Sequence, residues 1–505
     1  MTISAKKTII GFSVLIVIVL ISGLIANVII KDKIENAINQ NISENVTIYY
    51  NDFSVNVFSG KVTWTDLNVK AEKSNIIVSY VEIDDIKWVK YLWSNEIKIG
   101  KINISKPNID YVKNTSFLKK KETDDTINQQ FKTIKIENFE LKDGKISIFD
   151  TTKTTKAQFL NGFNLAFEEL KVLNPKKNIL PIEYSEIELK LDTLFTSAGK
   201  YENLTGNEIY IDEDSISIDK INFKTKYDKT EYDKLLEVER DHFLVSAEDL
   251  NFQNWKYSVK NDTIYFKVSA LDVGNNELII YRNKLVNDNP KKKPLFNEVL
   301  RKLPFKFGVD STNIENSNIT YQEKRQEQYS PGDLIFNDLN IDISHLGNTY
   351  NKPTSIDAQG MFMNSADVNI NWKLWINNQN AKFYVQAKLN ELSAKELNKF
   401  VVPNLLISLD GVLKKTHFNI EGNEYSSKVN LALKYKDIKV NQIKKKDMST
   451  KVLISSLANL FISKNSDNKS KAFDEAQAIV EPDRTKSFFN YIWVNLRTAL
   501  KKILI

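Results

Sequence analysis

A chain of 505 residues with 42% hydrophobic and 27% charged side chains is neither a disordered polymer nor a polytopic membrane protein. Its 70 Lys and Arg against 64 Asp and Glu leave a net charge of +6, too small and too dispersed along the chain to imply a nucleic-acid partner. The absence of cysteine excludes disulfides, a thiolate nucleophile and a sulfur-ligated metal.

The chain opens on Lys6 and Lys7, then runs from Ile9 to Ile30 without a charge. As a helix this segment rises about 33 Å, enough for a hydrocarbon core of about 30 Å. The apolar run continues through Val28-Ile29-Ile30 with no small-x-small exit, which predicts a retained single-pass anchor rather than a cleaved signal. The positive tail, residues 1–8, is expected in the cytoplasm and the bulk of the chain outside it.

From about residue 45 one pattern recurs: apolar-x-apolar-x-x-apolar-x-apolar. It stands first at Val62/Trp64/Leu67/Val69, then at Val81/Ile83/Ile86/Trp88, Ile97/Ile99/Ile102/Ile104, Ile134/Ile136/Phe139/Leu141 and Leu165/Phe167/Leu170/Val172. It returns at Ile216/Ile218/Ile221/Phe223, Val245/Ala247/Leu250/Phe252, Leu334/Phe336/Leu339/Ile341 and Leu433/Tyr435/Ile438/Val440. Alternation at period two puts one set of side chains on one face of a strand. One added residue flips the rest of the strand to the other face unless the backbone absorbs it. A β-bulge at the middle pair does so, and a two-residue hairpin is the competing reading. Asp143-Gly144 is the better hairpin turn near the Ile134 copy, which favours the bulge there, and further turns are expected at Gly206-Asn207, Gly274-Asn275, Asp410-Gly411 and Gly422-Asn423.

The predicted fold is therefore mainly β: a long curved antiparallel sheet forming an open β-groove. Pro290 to Pro294 with Lys291-Lys292-Lys293 reads as a linker, followed by a short apolar helix ending at Pro304. This separates an N-terminal groove part, 31–289, from a C-terminal one, 305–445, with 290–304 between them. Residues 446–505 read as amphipathic helices around a polar stretch. The last helix has Phe488, Phe489, Ile492, Trp493, Leu496, Leu500, Ile503 and Leu504 in one stripe, suited to capping the sheet or to lying on a membrane surface.

Catalytic chemistry is hard to find in this pattern. His242, His345 and His417 are widely separated, so neither a paired-His metal site nor a Ser/His/Asp set is recognisable. Asp212-Glu213-Asp214 lies between two alternating runs, where a turn of solvated acids is expected, and no glycine-rich phosphate loop occurs. The expectation is a protein that is not an enzyme and has no catalytic residue, metal or cofactor.

Several segments carry a resemblance: the N-terminal apolar run, VNVFSGKVTWTDLNV at 55–69, IKIGKINISKPNIDY at 97–111 and IKIENFELKDGKISIFD at 134–150. LPFKFGVDSTNIENSNITY at 303–321, LISSLANLFISKN at 453–465 and FFNYIWVNLRTALKKIL at 488–504 add to it. On these the chain resembles the bacterial AsmA-like superfamily, particularly its DUF748 members. The resemblance implies a periplasmic β-groove anchored in the inner membrane, related to bridge-like lipid transfer proteins, with phospholipid as ligand and no catalytic residue.

A physical reason accompanies it. Moving one acyl chain of about 14 methylenes into water costs roughly 11 kcal/mol, which a continuous apolar trough removes. The residues expected to line the trough are Val62, Trp64, Leu67, Ile83, Ile86, Trp88, Ile99, Ile102, Ile136, Phe139, Ile218, Phe223, Phe252, Phe336 and Leu339. On this reading Ile102→Asp blocks lipid loading more than expression. Expected partners are phospholipid, the inner membrane through 9–30, and a further envelope protein at the distal end; the role is lipid transport toward the outer membrane or envelope homeostasis. A second reading, from a different class, is an assembly factor that binds protein partners through sheet edges.

Overall fold

A computed structural model describes residues 46–56, 59–87, 96–113, 133–151, 155–173, 182–261, 263–443 and 473–504. The expected tail at 1–8, the anchor at 9–30, the first part of the expected helical region 446–505, up to residue 472, and Trp88 lie outside the described residues. Among the described residues no helix is long and apolar enough to cross a membrane.

Among the described residues the fold is mainly β, with 24 strands of one large, mostly antiparallel sheet and four helices. Two compact units divide it: unit 1 holds Met1–Ile221 and Val259–Asp262, unit 2 holds Asn222–Ser258 and Thr263–Ile505. The linker read at 290–304 falls inside unit 2, where it carries a short helix.

In unit 1, β3 (Lys61–Ala71) pairs with β4 (Ser74–Ile86), which pairs with β5 (Glu96–Ser105) and β6 (Asn108–Val112). Both of these run parallel to β7 (Thr133–Phe149), with Ile99 beside Ile136 and Ile109 beside Ile146 at one constant offset. They are two halves of one bent strand. The same holds for β1 (Val46–Tyr49) and β2 (Asp52–Asn56), which share β3. Antiparallel pairing then continues from β7 through β8 (Lys156–Val172) and β10 (Glu186–Ser197) to β11 (Glu202–Ile211), with the two-residue β9 (Ile182–Glu183) beside β8.

The repeated pattern has a backbone cause. In six of the nine copies the second residue of the middle pair has positive φ: Asp66 (51°), Asp85 (57°), Glu169 (49°), Asp249 (54°), Asp338 (51°) and Asp437 (54°). A left-handed residue inside a strand turns the chain so that both apolar pairs stay on one face. Val62, Trp64 and Leu67 are accordingly all buried. Asp and Asn tolerate this conformation because their short polar side chains bond locally.

The expected bulges are only part of the account. Register is unbroken across Asp66, between the pairs Thr65–Tyr80 and Leu67–Val78, and across Asp85, Glu169 and Asp249. Each neighbouring strand supplies its own extra residue at the same level. Following the ladder from Asp66 leads through Lys106 (φ 51°) and Asp143 (φ 55°) to Gly162 (φ 67°) and Glu208 (φ 46°). A Cβ at Gly162 would lie 1.8 Å from Asp192 Oδ2, so only glycine fits there. True register shifts flank Asp143, Asp338 and the Gly411 position opposite Asp437.

This corrects several expected turns. Asp143-Gly144, Gly206-Asn207 and Asp410-Gly411 lie inside β7, β11 and β22 (Ile407–Gly422). Gly274-Asn275 is the corner between two collinear strands. The signal misleads because a corner within a strand wants the same left-handed residue types as a hairpin. Gly422-Asn423 is a genuine turn, with Asn423 N donating to Ser426 O at 3.0 Å.

The corners give a stability test. Replacing Asp249 with Gly is expected to leave urea unfolding within about 1 kcal/mol of wild type, whereas Asp249→Val, which cannot adopt positive φ comfortably, should cost about 2 kcal/mol. Equal stability of the valine variant would remove the backbone explanation.

After β12 (Ser215–Thr225), unit 2 continues with β13 (His242–Gln253), which is followed by the short β14 (Lys256–Lys260) and pairs with both β15 (Thr263–Val273) and β16 (Asn276–Asn283). These two run parallel to β17 (Lys306–Lys324) in one offset, repeating the arrangement of β5 and β6. Antiparallel neighbours follow in order: β18 (Gly332–Gly347), β19 (Thr354–Phe362), β20 (Ala366–Leu374), β21 (Phe383–Ser393), β22, β23 (Ser427–Gln442) and β24 (Asp474–Val480). The helices are α1 (Lys229–Leu235), α2 (Phe296–Arg301), α3 (Asn398–Leu405) and α4 (Phe488–Leu504).

Candidate functional site

The apolar face differs in character along the chain. In unit 1 it is, over β2 to β8, a packed core: Val62, Ile83, Ile102, Phe139 and Phe167 stand side by side in register, with Phe53 stacked on Trp64 at 5.0 Å. Val62, Trp64, Leu67, Ile83, Ile86, Ile99, Ile102, Ile136 and Phe139, nine of the expected lining residues, are each less than a tenth exposed. They belong to one cluster of mutually packed side chains.

In the C-terminal part of unit 2 the face is covered as well. Phe488 and Tyr491 of α4 pack on Phe383, and Trp372 stacks on Phe488 at 5.1 Å. Asn297 of α2, 1% exposed, donates to the carbonyls of Trp375 and Lys382 and fixes that helix to the connection between Leu374 and Phe383.

Between these lies a stretch that is only half-buried. Across β13, β16, β17 and β18 the ladder aligns Phe243, Ile280, Tyr321 and Leu334 in one row. A second row aligns Val245, Leu278, Ile319 and Phe336, and ends on Phe362 of β19. Residues opposed in a ladder share a face, so these two rows form one surface. Phe223 joins it, its ring 5.9 Å from that of Phe243, and Phe336 meets Phe362 at 4.9 Å. Of the remaining expected lining residues, Ile218 is half-buried in unit 1, Phe252 is half-buried beside Leu271 at the far end of β13, and Leu339 is buried.

One end of this surface is closed by charge. Two residues beyond Ile280 comes Arg282, which donates from Nε and Nη2 to both carboxylate oxygens of Asp241 at 2.6 Å. Next along the strand, Lys284 meets Glu239 at 2.5 Å, and Lys293 reaches the other Glu239 oxygen at 3.3 Å. The Glu239 side chain is fully buried. Burial alone would raise its carboxyl, but Lys284, with Arg282 and Lys293 behind it, holds it below the usual carboxylate range. Burial in turn depresses Lys284. We take the pair as ionised, because the carboxylate faces three cations. On the opposite face of the strand, Tyr281 and Asn283 both donate to Asp233 of α1, at 2.8 and 2.7 Å. Burial, reinforced by Asp233, pushes the Tyr281 phenol far above its ordinary value.

This network is satisfied from within. The three histidines take no part in a common site: His242 Nε2 lies 2.9 Å from Tyr227 O, His345 packs on Tyr350, and His417 packs on Phe473. Asp212 forms the expected turn, accepting from the amides of Asp214 and Ser215 at 2.9 and 2.6 Å. Among the described residues no group of three or more His, Asp or Glu is placed to hold a metal ion.

Sequence reasoning selected Phe223 and Phe336 but missed Phe243, Leu278, Ile280, Ile319 and Tyr321. Leu278 and Ile280 alternate in the run NELIIYRN, a usable signal. Their partnership with Ile319 and Tyr321 depends on a parallel pairing that no local pattern announces.

Comparison with protein-family models and with curated proteins gives no match.

Proposed function

We propose that the protein binds the acyl chains of phospholipid on the half-buried face of unit 2. The observation that carries this reading is the pair of in-register apolar rows over four and five neighbouring strands, left half-buried where the faces of β3–β8 and of the C-terminal part of unit 2 are covered. Four strand spacings of about 4.8 Å make the longer row roughly 19 Å, a surface for hydrocarbon laid across the strands. Burying even half of a 14-carbon chain there would recover on the order of 5 kcal/mol. Ligands of this kind need shape and apolar area, and no catalytic group enters.

The wider setting is part of the proposal. The charge-free run Ile9–Ile30 supports anchoring in a bacterial inner membrane with the β portion in the periplasm. The repeated corner-bearing strands support an AsmA-like protein working in lipid transport or envelope homeostasis. One observation favours the assembly-factor reading as the alternative: β24 pairs with β23 alone among the described residues, and its Ile479 is 78% exposed, as an edge open to a partner strand would be.

The test is gentle purification followed by native mass spectrometry. Wild type should carry phospholipid, and Phe336→Asp combined with Val245→Asp should reduce occupancy roughly tenfold, as burial terms of this size predict, with circular-dichroism melting little changed. Full occupancy in the folded double variant would end the reading. Loss of a captured protein partner on Ile479→Asp, with lipid absent throughout, would support the edge instead.

A further inference from the structure

Helix α4 docks with most of the stripe its sequence advertises, since Phe488 is buried and Ile492, Leu496, Leu500 and Ile503 pack half-buried against the core, but its rotation leaves Phe489 and Trp493 out. Its buried positions are Phe488, Tyr491, Asn495 and Ala499. Asn495 is 0% exposed, accepts from Ser427 Oγ at 2.9 Å and donates to Tyr491 O at 2.9 Å. A buried amide with both ends satisfied fixes the rotation of the helix about its axis. That rotation turns two of the largest apolar residues outward: Phe489 is 60% exposed and Trp493 41%.

Helix α2 adds to the same patch. Phe296 is 41% exposed and Val299 45%, and the Phe296 ring lies 6.1 Å from that of Phe489. At about 100° per residue, Arg497 and Lys501 project on the same side of α4 as Trp493. The sequence from Arg484 to Ile505 contains no Asp or Glu. Arg497 and Lys501 form no ion pair among the described residues. The result is an outward face of Phe, Trp and Val bordered by cations, the composition that suits the interface of an anionic bilayer.

We propose that this patch, Phe296, Val299, Phe489 and Trp493 with Arg497 and Lys501, lies on the surface of an anionic phospholipid membrane. The contact is with a bilayer surface, so it stands or falls separately from acyl-chain binding on the β13–β18 face.

The cysteine-free sequence allows one clean label at a time. Full-length protein carrying an environment-sensitive fluorophore on Asn490→Cys is compared with the same label on Asp342→Cys, an exposed site on β18. Both are reconstituted into vesicles of roughly two parts phosphatidylcholine to one of phosphatidylglycerol, doped with nitroxide-labelled lipid. Whatever the N-terminal segment does in the vesicle is common to both labels. The 490 label should be blue-shifted and quenched roughly threefold more than the 342 label, as an in-plane helix requires. Adding Phe489→Ser with Trp493→Ser should abolish the difference, and Arg497→Gln with Lys501→Gln should remove the dependence on phosphatidylglycerol. Equal quenching of the two labels overturns the proposal. So does a 490 label that becomes shielded with rising protein concentration in the absence of vesicles, which would make the occupant a second copy of the chain.

Discussion

Ile102→Asp is expected to leave unit 1 unfolded, so that soluble yield collapses and limited proteolysis cuts the strands throughout it. Ile102 is 1% exposed and stands in register between Ile83 and Phe139, both of them buried. The substitution forfeits about 2–3 kcal/mol of apolar burial. It also places a carboxyl among side chains with no donor to offer, at several kcal/mol more. Together these approach the total stability of an ordinary domain, about 5–15 kcal/mol. The sequence reading, which took this position as trough lining, anticipated lost lipid loading with expression retained; the packing predicts the reverse order. Phe336→Asp, on the half-buried face, is the paired control and should fold. Native melting of Ile102→Asp would mean that the face of unit 1 is not a packed core.

Glu239→Gln is expected to destabilise unit 2 by about 3–5 kcal/mol, because it leaves Lys284 buried beside Arg282 without its carboxylate. Removing both partners should hurt less than removing one. Glu239→Gln with Lys284→Met is accordingly expected to recover a large part of the loss, a coupling that a double-mutant cycle in urea reads directly. The effect has a pH signature. The folded-state pKa of Glu239 is depressed, so its contribution is present above the ordinary glutamate value of about 4.3 and is lost as pH falls toward the lower folded value. Wild type and Glu239→Gln should thus differ most at neutral pH and converge in acid. A stability gap that stays constant from neutral pH down into acid would show that the carboxylate's charge is not what matters.

Much of the architecture was legible because alternation is a backbone property. Val62, Trp64 and Leu67 announced one face of β3, and Asp66 announced the interruption between them. What the interruption means was less accessible. A left-handed Asp inside a strand and a left-handed Asp in a hairpin have the same local chemistry, so Asp143-Gly144 and Asp410-Gly411 read as turns although both lie within long strands. The deciding information is whether the next strand bends at the same level, which is a property of the neighbour. Coverage was hidden for a related reason. Ile102 and Phe336 look alike in sequence, and only the packing around each shows that one is sealed and the other half-open. In α4 the apolar stripe pointed at Phe489 and Trp493 as contact residues, whereas the hydrogen bonds of a single amide, Asn495, turned them outward.

The line of left-handed residues running from Asp66 through Asp143 to Glu208 ties the lengths of adjacent strands to one another. Deleting Asp66 alone would shift every later side chain of β3 against β4 by one position and expose what should be inside. Deleting Ser79 at the same time would restore the match with β4 but spoil it with the next strand along. Such a chain can therefore gain or lose residues freely at its loops, yet within the ladder it tolerates insertions and deletions only as coordinated sets spanning several strands, and growth by whole strand pairs is the easier route to a longer or shorter protein.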